Sequence, residues 1–512
     1  MVVTAATGAL CGIDCRLITV EVDISNGLPQ MEMVGSLSGE VREAQMRVRV
    51  ALKNTGIALP PQRITVNLAP ASLHKEGTQY DLPIAAAMLA ASDHVPKESL
   101  DDCFLAGELG LDGEVKPVCG ILPMVLKARE EGMKEVLLAP ENVSEGAVVS
   151  GMRIIGVRSL EELIEILSED RQTRQKRSTV YENAEEGSGI NKADFGDIYG
   201  QEGMKRAMEV AAAGFHNLLM IGPPGAGKTM AARRLSSILP PITEEEALEV
   251  SKIYSVSGLL GDGGLIRERP FIAPHHSTTL QALAGGGHNP KPGLISRAHK
   301  GVLFLDETVH FSPAALEVLR QPLEDKKVLV ARSNASYEFP AEFMLVAAMN
   351  PCPCGNYPDP QRCRCSREQV QRYLGRLSGP LLDRIDICVE LGRVELKEYR
   401  KSRQTDPEWY SEAMRKRVLE ARRMQEKRFA KEGICFNAQM GVSELKEYVV
   451  LGKKEQEYMD KVYERLHLSL RSYHRILKVA RTIADLDEAE NVGIQQLQEA
   501  LCYRGVEERY WG

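Results

Sequence analysis

No stretch of the 512 residues reaches the roughly 18 consecutive apolar positions that a membrane-spanning helix needs, so no membrane partner is expected. The opening MVVTAATGALCG carries no basic leader before its short apolar stretch, and a secretory signal is not expected there. Positive charge is not in excess: 64 Lys and Arg face 71 Asp and Glu, a formal net charge of −7. That balance disfavours a uniformly basic nucleic-acid binder but leaves open a channel lined with positive charge. No short-period repeat or low-complexity tract is present. The eleven cysteines are an odd count, and several sit within apolar patterns. A disulfide framework is thereby disfavoured, and a reducing, cytoplasmic location is expected.

What is present is the composition of a globular chain, 43% hydrophobic and 26% charged. Its length suggests roughly three domains. Residues 1–167 alternate β-like runs, such as Leu17–Val22 and Ile64–Leu68, with helical stretches at Glu40–Lys53, Pro83–Ala91 and Ser159–Ser168. Residues 168–192 are polar, charge-dense and close on Gly-Ser-Gly, the composition of a linker. A second α/β pattern covers 193–393. From 394 to 512 the pattern is helical and highly charged, as in Pro407–Lys431 and Arg471–Leu486.

The second pattern carries the chemistry. The apolar run Asn217–Ile221 leads into Gly222-Pro223-Pro224-Gly225-Ala226-Gly227-Lys228-Thr229 and then into the helical MAARRLSSIL. This is GxxxxGK[ST] in strand–loop–helix context. Its backbone N–H groups can turn inward around phosphate oxygens, and the helix dipole adds to their pull. Lys228 then reaches the β- and γ-phosphates of ATP, and Thr229 ligates Mg²⁺. A second run, Gly301–Leu305, ends in Asp306-Glu307. Carboxylates at a strand's C-terminal end face the phosphate crevice of an open α/β sheet. Asp306 suits Mg²⁺, and Glu307 suits polarisation of the attacking water. A third run, Phe343–Met349, ends in Asn350, an amide able to orient that water; alternatively it forms a turn before Pro351. Arg384 lies between Asp383 and Asp386. It forms a surface ion pair or, in a ring-shaped motor, an arginine finger reaching the neighbour's ATP. Arg471 is the candidate for a second, lid-borne arginine, the role called sensor 2, with Arg475 the alternative.

Asn350–Ser366 reads NPCPCGNYPDPQRCRCS. Its four thiols, Cys352, Cys354, Cys363 and Cys365, can close around one structural Zn²⁺. A redox pair or unliganded thiols are the alternatives.

Several longer stretches carry a resemblance: Asp197–Thr229, Arg269–Gly287, Ile295–Glu307, Leu319–Val328 (LRQPLEDKKV), Ala347–Gly355 and Leu477–Leu486. Together they resemble the magnesium-chelatase-like AAA+ ATPases, in their bacterial ComM/YifB branch. The resemblance implies a P-loop core with a parallel sheet, a helical lid, homo-hexameric rings and two insertions facing a pore. It also implies DNA processing, by a helicase-type motor that promotes branch migration in recombination or transformation. The chain departs from the branch at Thr308-Val309-His310-Phe311, where an LPEF-like run is usual, and at Val34-Gly35-Ser36, where VGL is usual. Neither touches a phosphate-contacting position. For single-stranded or branched DNA, the candidate contacts are Lys326, Lys327 and Arg332 around Val328–Ala331, and His275, His276 and Lys291 in the insertion Pro274–Pro292. Taken singly, each basic residue reads as an exposed charge on a turn, and the alternative for the paired histidines is packing or hydrogen bonding within the core.

Glu76–Leu89 and Gly107–Ala128 make residues 1–167 similar to the Lon-protease α/β domain. An active member pairs a Ser nucleophile with a Lys base. Here the Ser turn reads Thr78-Gln79-Tyr80-Asp81 and the Lys position falls on Leu122, so no proteolysis is expected. A Thr78–Lys75 dyad is the remote alternative. Three functions thus compete: a DNA motor, a chelatase-type protein remodeller and an ATP-dependent protease.

Overall fold

The computed structural model describes residues 2–179, 193–261, 263–287, 290–331, 336–393 and 406–511. In the first region, β1 (Val3–Cys11) and β2 (Asp14–Ser25) form an antiparallel hairpin. There follow β3 (Gln30–Val34), β4 (Arg63–Ala69), β5 (Cys103–Ala106), the short hairpin β6 (Glu108–Leu109) and β7 (Val115–Lys116), β8 (Glu135–Leu138) and β9 (Arg153–Gly156). The mixed sheet runs β3-β4-β2-β1-β5-β8-β9. Alternation along β2 puts Ile18, Val20 and Val22 wholly inside, each worth about 1.5–3 kcal/mol of burial. The helix Gly39–Asn54, capped by Ser38, buries Val41, Ala44, Val48, Ala51 and Leu52 at helical spacing. Behind it the helix Asp81–Ala91 is buried on nearly every side, which explains its uniformly apolar sequence.

The segment read as linker begins instead with the helix Arg171–Lys176, docked on this region. Arg174 is buried, 3.3 Å from Glu135, and donates to the Ser99 carbonyl at 3.1 Å. Residues 180–192 lie outside the described residues.

The second sheet uses β10 (Leu218–Ile221), β11 (Phe271–Ile272), β14 (Val302–Leu305), β17 (Met344–Met349) and β18 (Ile387–Glu390). Two hairpins sit outside it: β12 (Gly285–Gly286) with β13 (Lys291–Pro292), and β15 (Lys327–Ala331) with β16 (Ser336–Pro340). All pairings in the sheet are parallel, in the order β11-β14-β17-β10-β18. Its three central strands are buried throughout, as expected of a parallel sheet covered on both faces. Because β17 lies between β10 and β14, the ends of three strands distant in sequence converge at one crevice.

The C-terminal region is helical. Pro407–Trp409 forms a separate 3₁₀ turn, followed by helices at Ser411–Arg428, Lys453–Arg465, Leu470–Leu486 and Ile494–Trp511. Asp485, fully buried, accepts from Arg428, Arg481 and Asn437 and ties three segments together. Between the first and second regions, Glu145 accepts the Leu122 N–H at 2.8 Å and the Ser255 hydroxyl. Ser255 belongs to the core helix Glu244–Ser257. Among the described residues no helix is long and apolar enough to cross a membrane.

Candidate active site

The P-loop leaves the carboxyl end of β10 and enters the helix Lys228–Arg234. Gly225 (φ 76°) and Gly227 (φ 89°) adopt the left-handed conformation that the inward turn of the loop requires. Lys228 Nζ donates to the Gly222 and Pro223 carbonyls at 2.7 and 3.0 Å and to Asn350 Oδ1 at 3.0 Å. Burial lowers its pKa, and the charges of Asp306 and Glu307 oppose that. The residue at the end of β17 thus meets the P-loop lysine, rather than only turning the chain before Pro351.

At the end of β14, Asp306 Oδ2 accepts the Thr229 hydroxyl at 2.6 Å. These are the two side chains singled out for Mg²⁺. Glu307 is exposed and has φ 46°, a conformation rare outside glycine and concentrated at functional sites. The unusual Thr308 is buried, and its hydroxyl donates to the carbonyls of Leu305 (2.9 Å) and Ala348 (3.1 Å). It ties the end of β14 to β17 directly behind Asp306-Glu307.

The arginines lie elsewhere. Arg384 pairs with neither adjacent aspartate: Asp383 is 3.4 Å from Arg475, and Asp386 is 3.4 Å from His216. Burial disfavours the charged form of Asp386. The hydrogen bond and charge of His216, with Arg475 and Lys478, outweigh it and hold the carboxyl at about 2. Arg384 pairs instead with Glu324 at 2.6 Å, and Arg471 bonds the same carboxylate oxygen. Arg475 is buried and donates to the Ile385 and Leu382 carbonyls at 3.0 and 3.4 Å, a structural bracket. Arg384, Arg471 and Arg475 line a cavity of about 250 Å³ that no P-loop residue lines. Glu324 is a residue that motif reading missed; its signal was the run LRQPLEDKKV.

With this geometry in view, the comparisons with known proteins are informative. Three models of the magnesium chelatase ChlI subunit match residues 20–142, 194–399 and, for its C-terminal part, 408–504. The competence protein ComM of Haemophilus influenzae is 42% identical over 498 residues, covering 97% of this chain and 96% of that protein. The chain belongs to the ComM/YifB family of magnesium-chelatase-like AAA+ ATPases. The YifB protein of Escherichia coli is 41% identical over 504 residues, with 98% and 96% covered. Lon protease 2 of Bacillus subtilis is 28% identical over 201 residues, 34% of this chain and 36% of that protein. Membership of this AAA+ family implies ATP and Mg²⁺. The convergence of Lys228, Thr229, Asp306 and Asn350 suits them.

Beyond this core, the ComM/YifB-family chain gathers its four loop cysteines. Their sulfurs lie within 4.8 Å of one another. Cys352 is 3.4 Å from Cys354 and 3.8 Å from Cys363, and Cys354 is 3.7 Å from Cys363. Zn–S bonds of about 2.3 Å put the corners of a tetrahedron about 3.8 Å apart, so the donor set fits zinc. The Arg364 N–H holds the Cys354 thiol down at about 6, whereas burial pushes Cys363 up to about 12. The loop rests on the nucleotide site, because a Cβ on Gly355 would come within 2.5 Å of Pro224 Cδ in the P-loop.

The candidate DNA contacts are dispersed. Lys326 lines the arginine cavity, and Lys327 is paired with Glu338 at 2.9 Å across the hairpin. Lys291 is exposed, and Arg332 falls outside the described residues. The rings of His275 and His276 are 4.1 Å apart, and His275 bonds Ser277 at 2.7 Å.

The N-terminal α/β region is Lon-like, but Lys75 and Asp81, beside the position of the Ser turn, are buried. Asp81 is buried against Arg47 at 2.7 and 3.0 Å. Leu122 is buried under Glu145. Lys75 is buried and donates to the Pro70 carbonyl, not to Thr78. Burial lowers its pKa.

Proposed function

We propose that this chain is an ATP-driven homo-hexameric motor acting on single-stranded or branched DNA, with a helicase or branch-migration role in recombination or natural transformation. The relative named a competence protein supports the biological setting. The observation that carries the reading is a split in the site. The groups that would hold ATP lie at the P-loop crevice, and the arginines suited to its transition state lie around a separate cavity. One subunit's arginines therefore serve the next subunit's nucleotide.

In this mechanism the residues Gly222–Thr229 wrap the phosphates with backbone N–H groups, and Lys228 exchanges its bond to Asn350 for the γ-phosphate. Thr229 and Asp306 would hold Mg²⁺, which would supply neutralisation of phosphate charge. Glu307 takes a proton from the attacking water, and Asn350 orients that water. Arg384 and Arg471 approach from the neighbour as charge moves onto the phosphate oxygens. Cys352, Cys354, Cys363 and Cys365 would hold Zn²⁺, bracing the P-loop against the residue following β17. Metal analysis of purified protein should return about one zinc per chain; none, with no uptake of added metal, removes the brace.

The test is ATP turnover with and without forked or single-stranded DNA at two salt concentrations. Stimulation that collapses as salt rises is expected of phosphate-backbone contacts. The match to magnesium chelatase models over three regions favours a second reading, a protein-remodelling motor. Turnover indifferent to DNA selects it.

A further inference from the structure

The run Leu319–Val328 has no part in the ATP chemistry above, yet it carries the carboxylate on which the arginine face is built. The helix Arg320–Asp325 ends at Lys326, which takes φ 59° and turns the chain sharply into β15. Glu324, in the last turn, faces the cavity shared with Arg384 and Arg471. One oxygen, Oε1, receives Arg384 at 2.6 Å and also Arg471. The two guanidinium groups hold the Glu324 carboxyl below its usual range, against the opposing effect of burial. Among the described residues no other carboxylate pairs with either arginine, because Asp383 and Asp386 are committed to Arg475 and His216. Arg384 Nε is buried without a hydrogen-bond partner, so the finger is not saturated by its own subunit.

Two guanidinium groups on one face repel each other, and each long side chain loses rotamer freedom when it is held in one geometry. A carboxylate between them removes both obstacles before any phosphate arrives. Sharing a single oxygen uses few of the five N–H donors on each guanidinium; Arg384 also donates to the Pro380 carbonyl, and donors beyond these bonds can turn to a γ-phosphate. We infer that Glu324 is a positioning residue for ATP hydrolysis in the neighbouring subunit, holding Arg384 and Arg471 side by side as one clamp for the γ-phosphate. This inference rests on the proposed trans action of the two arginines.

Glu324→Gln keeps shape and removes charge, and Glu324→Asp keeps charge on a shorter stem. Glu324→Gln should lower kcat about tenfold or more while the KM for ATP stays within about twofold, the pattern of an interaction made only in the transition state. Glu324→Asp should recover part of the loss. The deciding readout is mixed rings. Lys228→Ala subunits have no working ATP site but intact arginines, so mixing them with Glu324→Gln subunits should restore turnover. Arg384→Ala subunits mixed with Lys228→Ala are the parallel experiment. Restoration of Arg384→Ala alone, with Glu324→Gln either as active as the unaltered protein or slow and not restored, overturns the role of Glu324 and leaves trans action standing. If neither mixture recovers, trans action itself fails and the inference falls with it.

Discussion

The Lon-like sheet and the ATPase sheet each bring polar and charged side chains to a helix N-terminus, but they treat them differently. In the first, Asp81 is saturated by Arg47 and the Leu109 N–H, and Lys75 is buried with the Pro70 carbonyl as its acceptor. In the second, Lys228 bonds Asn350, Thr229 bonds Asp306, and Glu307 stands exposed in a left-handed conformation. Each partner there is itself a proposed site residue, so bonds made without a ligand can be exchanged for bonds to one. A group with a permanent partner contributes stability; a group whose partners are other site residues contributes chemistry.

Paired substitutions sharpen that contrast. Asp306→Ala should cut ATP turnover by about 100-fold or more, with thermal stability unchanged or slightly raised, since strained sites are commonly stabilised by substitution. Asp81→Ala should do the reverse. It leaves Arg47 without its buried partner, at a cost of about 3 kcal/mol in denaturant unfolding, with turnover per folded molecule preserved. Equal loss of turnover in both variants would break the comparison. A smaller effect comes from the core's own saturated pair, Asp386 with His216. The fold holds Asp386 at about 2, below its ordinary 3.8. The fold therefore favours the ionised form. That stabilisation, about 2 kcal/mol, is fully present above pH about 4 and lost as pH falls through about 2. Asp386→Asn should be less stable than the unaltered protein at neutral pH, and the gap should close across that acid window in unfolding titrations.

The placement of the candidate site was legible where its residues are contiguous. The P-loop, Asp306-Glu307 and Asn350 each sit at the end of an apolar run, and a parallel sheet brings such ends together. The cysteine loop was legible for the same reason, its four thiols lying within one short segment. What was not legible depends on pairing across the chain. Between Asp383 and Asp386, Arg384 reads as a local ion pair, but its partner is Glu324 on another helix. What separates Arg471 from Arg475 is packing that no local pattern shows: both line the cavity, but Arg471 bonds Glu324 and Arg475 is buried against backbone carbonyls. The segment 168–192 reads as a solvated linker because its charges are dense, yet Arg174 finds Glu135 and Ser99 inside the first region.

The central claim is that the second sheet carries an open ATP site and that Glu307 acts in hydrolysis. The most direct measurement is ATP binding and steady-state phosphate release by the protein and its Glu307→Gln variant, side by side. The account predicts binding within about threefold and hydrolysis slower by about 100-fold or more. Equal hydrolysis by the two proteins would contradict it.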